Sequence, residues 1–205
     1  TLAMCELIRE QGLWLDVVSG GELYTAYKAD FPMDKIYFHG NNKTLEEIHL
    51  GFKTGVGRFV IDNELELTNV NRVAGMYGRV QKVLLRVTPG IEAHTHEYIK
   101  TRQLDSKFGF ASLGDNLMNI VKKAIELPNI ELMGLHCHIG SQIFETEPYE
   151  EAASIMVELM KEIIEATGYV LEELDLGGGF GIYYNEGDKP KSPEEYCSAI
   201  RKAVE

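Results

Sequence analysis

Cysteine is scarce in this chain: three in 205 residues, at Cys5, Cys137 and Cys197. An odd, unclustered set excludes the disulfide framework of a small secreted domain and fits a reducing compartment. Positive charge is also short. Lys and Arg number 20 against 32 Asp and Glu, a net charge of −12. Neither nucleic acid nor an anionic membrane surface is therefore expected as a partner. No run approaches the roughly 20 apolar residues of a membrane span, and no signal-peptide pattern opens the chain. Low-complexity tracts and linker-like stretches are missing as well. What remains, 44% hydrophobic and 25% charged, is the composition of a folded domain. The expectation is a single cytoplasmic α/β enzyme domain over 1–205.

Short β-branched or apolar runs alternate with amphipathic stretches. Strands are expected at 13–18, 35–39, 58–62, 82–88, 131–139 and 171–176, with helices between them. Asp115 is a candidate N-cap before the helical spacing Leu117, Ile120, Val121, Ala124 and Ile125. A second helix carries Pro148 in its first turn and stops at Gly168. Ser19 with Glu22, and Thr44 with Glu47, have capping-box spacing. Residues 1–10 read as the tail of a helix stopped at Gly12, so the chain is expected to begin partway through a repeating unit. About six βα units without hairpin signals imply a parallel sheet. Along each strand one face is greasy, while the other gains polar groups near the carboxyl end. A doubly wound sheet buries both faces under helices, whereas a barrel turns polar at its inner rim. The expected fold is a (β/α)8 TIM-barrel-like domain, here incomplete.

The candidate chemistry sits at strand ends, where barrel enzymes build their sites. Leu176 is followed by Gly177, Gly178, Gly179, Phe180 and Gly181. Such a run is either a flexible turn or a backbone cradle whose N–H groups take an anion, typically phosphate. No GK[ST] follows and GxGxxG is not met, which argues against a nucleotide loop. His136-Cys137-His138-Ile139-Gly140-Ser141 places two imidazoles on one strand face. They suit a metal completed by Asp16 or Asp62, a flat cofactor with Ser141 at its phosphate, or simple core packing. Arg86, on an inner strand face, must pair with Asp16 or Asp62 or else bind an anion. Lys107, in Ser106-Lys107-Phe108-Gly109, lies on a long loop with His94 and His96, read as functional or merely solvated. Cys137 reads as inert packing.

Taken together, Trp14-Leu15-Asp16-Val17-Val18-Ser19-Gly20-Gly21-Glu22-Leu23, His94 to Ile99, Ser106 to Gly109, His136 to Gln142 and Asp175 to Gly181 resemble the diaminopimelate decarboxylases. These belong to the barrel-type (fold type III) pyridoxal-phosphate enzymes, with ornithine and arginine decarboxylases and alanine racemase. One departure is Arg102, where the family commonly has Gly. The resemblance implies pyridoxal 5′-phosphate as cofactor and a partial cofactor-binding barrel at 1–205. It implies His138 on the pyridine ring, Gly177, Gly178, Gly179 and Ser141 at the phosphate, Arg86 by the ring substituents and Asp16 by the cofactor-bearing lysine. Lys107 would lie at a homodimer interface. No resident metal is implied. The implied reaction takes CO₂ from meso-diaminopimelate, an amino-acid substrate, to give L-lysine in lysine biosynthesis.

The family's Schiff-base lysine, in a Tyr-Ala-x-Lys-Ala segment, its Glu-Pro-Gly-Arg strand and its C-terminal β domain have no counterpart in the sequence. The first and last barrel strands are thus expected to be missing, and the 205-residue chain is expected to be inactive alone. Alternatives are a decarboxylase of ornithine, arginine or a polyamine precursor, a non-catalytic phosphate-ligand-binding barrel, and a His-dependent metal hydrolase.

Overall fold

The computed structural model describes residues 1–90, 108–112 and 115–205. His94, His96, Ser106 and Lys107 lie outside the described residues. Two compact units are defined by their internal contacts. One comprises Thr1–Arg86 with Asn119–Met133, the other Val87–Met118 with Gly134–Glu205.

In the first unit the chain runs α1 (Leu2–Glu10), β1 (Leu15–Val17), α2 (Gly20–Lys28), β2 (Ile36–Phe38), α3 (Leu45–Thr54), β3 (Arg58–Ile61), α4 (Glu64–Met76) and the start of β4 (Gln81–Thr88). Later come β5 (Phe110–Ala111), α5 (Asp115–Glu126), β6 (Ile130–His136), α6 (Glu147–Thr167), β7 (Glu173–Asp175) and α7 (Pro193–Val204). The strand order is β1-β2-β3-β4-β6-β7, with β5 beside β4. All six strands expected from the sequence are present, most of them shorter than expected; the two-residue β5 was not anticipated. Pairing is parallel, with Asp16 opposite Tyr37, Phe38 opposite Phe59, Val60 opposite Leu84, and His136 opposite Asp175.

Local chemistry explains the helix boundaries. Thr44 and Glu47 form a reciprocal capping box at α3. Ser19 accepts from the Glu22 N–H, but the Glu22 carboxylate takes the Val18 N–H at 2.7 Å instead of closing a box. Glu47, from the next βα unit, adds a second tie at this helix start, its Oε1 accepting the Gly20 N–H at 2.8 Å. Gly168 stops α6 in the left-handed region, φ 70°.

In the first unit Phe38, Phe52 and Phe59 form an aromatic row with ring centroids 5.5 Å apart. Val60, Leu84 and Met133 form a second buried cluster, with Tyr37 against it. Leu132 to Cys137 are all buried, and the buried polar group on β6 is His136, at the strand's carboxyl end. In the second unit Ile143, Tyr149 and Tyr196 form the core, with Ile139, Phe180 and Ile200 packed on it. Among the described residues no helix is long and apolar enough to cross a membrane.

Candidate functional site

In the first unit, charged side chains converge where strands end. Nη1 of Arg86, near the end of β4, lies 3.3 Å from Oδ1 of Asp62, which directly follows β3. This is the salt bridge that the sequence left open beside anion binding. The Asp62 N–H donates to Oε2 of Glu66 at 3.4 Å, and Oε1 of Glu66 pairs with Nζ of Lys43 at 2.7 Å. Lys43 also donates to the carbonyl oxygens of Gly40 at 2.7 Å and Val60 at 2.8 Å. The Lys43 and Glu66 side chains are only 1% and 4% exposed. Burial pulls the Lys43 amine below the usual lysine value and pushes the Glu66 carboxyl above the usual carboxylate value, each partner's charge acting against the shift. One β-strand away, Oδ2 of the exposed Asp16 is 3.3 Å from Nε2 of the buried His39.

Lys43 and Glu66 were not found by reading the sequence. Lys43 stands one residue past the polar run 39–42 that follows β2. Glu66 sits in the first turn of α4, where an acidic residue is expected for its favourable position near the helix N-terminus. A lysine closing a βα loop is too common to single out.

In the second unit, β7 ends at Asp175 and delivers the glycine run. Oδ1 of Asp175 accepts the Gly177 N–H at 2.7 Å, which turns the chain. Gly177 and Gly179 have φ of 70° and 99°. A Cβ on Gly177 would fall 2.7 Å from the Cys137 carbonyl oxygen and 2.9 Å from Nδ1 of His138; on Gly179 it would fall 2.0 Å from the Gly140 carbonyl oxygen. Only glycine permits this approach. Two loops are thereby zipped together, with the Ile143 N–H donating to Gly179 at 3.0 Å and the Gly181 N–H donating to Ile143 at 2.8 Å. Tyr196 adds a 2.7 Å bond from its hydroxyl to the Ile143 carbonyl, and Tyr149 one of 3.1 Å to the Gly178 carbonyl. The Gly178 and Gly179 N–H groups have no acceptor within the described residues, and a Cβ on Gly178 would meet open space.

His138 and Ser141 lie on the first of these loops, and both are exposed. Here the expectation from sequence needs correction: β6 stops at His136, so His138 is not a strand residue. Only the Cys137 N–H continues the ladder, to the Asp175 carbonyl at 2.9 Å. The bend toward Gly140, φ 143°, carries His138 against Gly177 instead of into a strand face. Gln142, at φ 58°, is held by its own amide, which donates to the Ile182 carbonyl at 2.9 Å and accepts the Ile182 N–H at 2.8 Å.

A parallel α/β fold of the TIM-barrel type, with adjacent amides in a glycine turn at a strand end that have no acceptor among the described residues, is an arrangement able to take an anionic ligand. Comparison with known proteins gives the particular kind. All of residues 1–205 match the family described as pyridoxal-dependent decarboxylase, pyridoxal binding domain. The chain is 45% identical over 204 residues to diaminopimelate decarboxylase of Bacillus subtilis and 47% identical over 203 residues to that of Halalkalibacterium halodurans. It covers 100% and 99% of itself in these matches but 46% of each relative, so it spans about half the length of the curated relatives it matches. The crystal structure of diaminopimelate decarboxylase from M. jannaschii with L-lysine superposes with a TM-score of 0.89 at 34% identity, over 99% of this chain and 46% of that one. The chain belongs to the pyridoxal-dependent decarboxylases, as their pyridoxal binding domain. The cofactor of that family is pyridoxal 5′-phosphate, and the glycine turn fits it: among the described residues the amides of Gly178 and Gly179 have no acceptor, and a Cβ on Gly178 would meet nothing.

Proposed function

We propose that the protein is a diaminopimelate decarboxylase, removing CO₂ from meso-diaminopimelate to give L-lysine in the cytoplasm, as a homodimer. The observation that carries this reading is the 45% to 47% identity to enzymes of that name along essentially the whole chain. The lysine/ornithine decarboxylase of Vibrio vulnificus shares the fold at 23% identity, which does not favour its substrates.

The Gly178 and Gly179 N–H groups, with the Ser141 hydroxyl, would take the cofactor phosphate. Main-chain donors fixed in advance hold an anion without reorganising. His138, seated against Gly177, would hold the pyridine ring. When bound, pyridoxal phosphate supplies an electron sink for the carbanion left by loss of CO₂. Asp16 and Arg86 are assigned to the same cofactor by the family pattern, and Lys107 to the subunit interface. Asp62 fixes the direction of the Arg86 guanidinium, and His39 that of the Asp16 carboxylate.

The test is release of CO₂ by the full gene product, loaded with pyridoxal phosphate, from meso-diaminopimelate, ornithine and arginine in parallel. Turnover of meso-diaminopimelate alone is expected. Preference for ornithine or arginine would replace the proposed substrate, and cofactor binding without any turnover would favour a phosphate-ligand-binding barrel.

A further inference from the structure

The geometry points to Lys43 and Glu66 as a positioning pair that sets the Arg86 guanidinium through Asp62. This rests on the reading that Arg86 serves the cofactor. Lys43 is a three-way clip. Its ammonium donates to the Gly40 carbonyl in the loop after β2, to the Val60 carbonyl within β3, and to Glu66 on α4. Those three bonds exhaust its donors. Glu66 completes the clip by accepting the Asp62 N–H. The backbone at Asp62 is therefore held from both sides, at Val60 and at its own amide. The Asp62 carboxylate, 5% exposed, then pairs with Arg86.

A buried ion pair is an expensive way to hold a loop, because removing two charges from water offsets much of their attraction. Its return is directional. An ammonium and a carboxylate with every bond assigned allow one arrangement, whereas apolar side chains of the same volume allow several. Lys43 and Arg86 thus stand beside two carboxylates, Glu66 and Asp62, and Asp62 fixes the orientation of the guanidinium. Lys43 and Glu66 are positioning residues: among the described residues their hydrogen bonds are to the backbone and to each other, and they meet Arg86 through Asp62.

The experiment uses the full gene product and the charge-neutral variant K43M/E66M, with E66Q as a second variant. Arginine side chains are labelled with ¹⁵N, and the Arg86 signal is assigned by R86K. In the wild type, restricted rotation keeps the Arg86 Nη resonances separate. In both variants they merge, the Kd for pyridoxal phosphate rises about tenfold or more, and near-UV circular dichroism stays native. In an R86M background, E66Q adds no further loss of affinity. Unchanged Arg86 resonances in whichever variants fold would overturn the proposal, as would additive losses in the R86M cycle. A wild type that binds no pyridoxal phosphate would refute the cofactor reading, and the Arg86 resonances would still decide the positioning role.

Discussion

The Tyr149 hydroxyl donates to the Gly178 carbonyl at 3.1 Å, and this bond aims the next amide. In a planar trans peptide the carbonyl and the following N–H point in opposite directions. With Gly178 O drawn toward Tyr149, the Gly179 N–H is turned to the other side, where it has no acceptor within the described residues. Tyr149→Phe keeps the ring against Phe180 and Tyr196 but releases that carbonyl. It should weaken pyridoxal phosphate binding by roughly twofold to tenfold, the worth of one hydrogen bond. Fluorescence titration of the cofactor checks this; equal Kd values would show that the turn holds its shape unaided.

Burial, reinforced by Tyr196 and Cys137, pushes the Tyr149 hydroxyl up to about 12. The unfolded chain loses this proton near pH 10, the folded one only near 12. The contribution of Tyr149 is therefore fully present below pH 10 and is lost as pH rises toward 12. Urea midpoints measured on either side of pH 10 should fall more steeply for the wild type than for Tyr149→Phe.

The glycines of the turn differ in what they tolerate. Gly179→Ala places a methyl 2.0 Å from the Gly140 carbonyl oxygen at φ 99°, and should cost about 1–3 kcal/mol from backbone strain alone. Gly178→Ala meets nothing and should leave the thermal midpoint nearly unchanged while reducing phosphate affinity, since its methyl enters the space beside the open amides. Thermal scans with and without pyridoxal phosphate separate the two. A Gly178→Ala protein that binds as tightly as the wild type would place the anion elsewhere.

Lys43→Met strands the Glu66 carboxylate in a buried site and should destabilise the fold by about 3–5 kcal/mol. The paired change K43M/E66M leaves no uncompensated charge and should cost far less. Urea unfolding of the two variants checks the order, and equal losses would contradict it.

Glu47 carries two helix starts, accepting from the Thr44 and Gly20 N–H groups. Desolvation is the largest single influence and raises its pKa, but the bonds from Thr44 and Gly20 and the Lys43 charge together outweigh it and hold the carboxyl below the usual value of 4.5. Its contribution is therefore present above about pH 4.5 and lost as pH falls through the folded value. Glu47→Gln should cost about 1 kcal/mol at neutral pH, as loss of a cap does, with a smaller difference in acid. Denaturation at the two pH values gives the comparison.

Strand positions, the helix stop at Gly168 and the glycine turn were legible in the sequence because each depends on neighbours in the chain: alternation, a left-handed residue, a run without side chains. The cost of a lone buried charge left Arg86 to pair with Asp16 or Asp62 or to bind an anion, and a pairing with Asp62 is observed. The Lys43–Glu66 pair was not legible, since it joins residues from different βα units and each has an ordinary local explanation. His138 shows the opposite failure. A period of two carried past His136 assigns it a face, but the strand has already ended and a tertiary loop decides where it lies.

The donors offered by the glycine turn are main-chain amides, which do not titrate. Over the ordinary pH range the grip on a phosphate would follow only the ligand's own second ionisation, near 6 for a phosphate monoester. Retention of the cofactor and the proton movements of a reaction would then draw on separate groups, and a change in acidity that slowed the chemistry would not by itself release the cofactor.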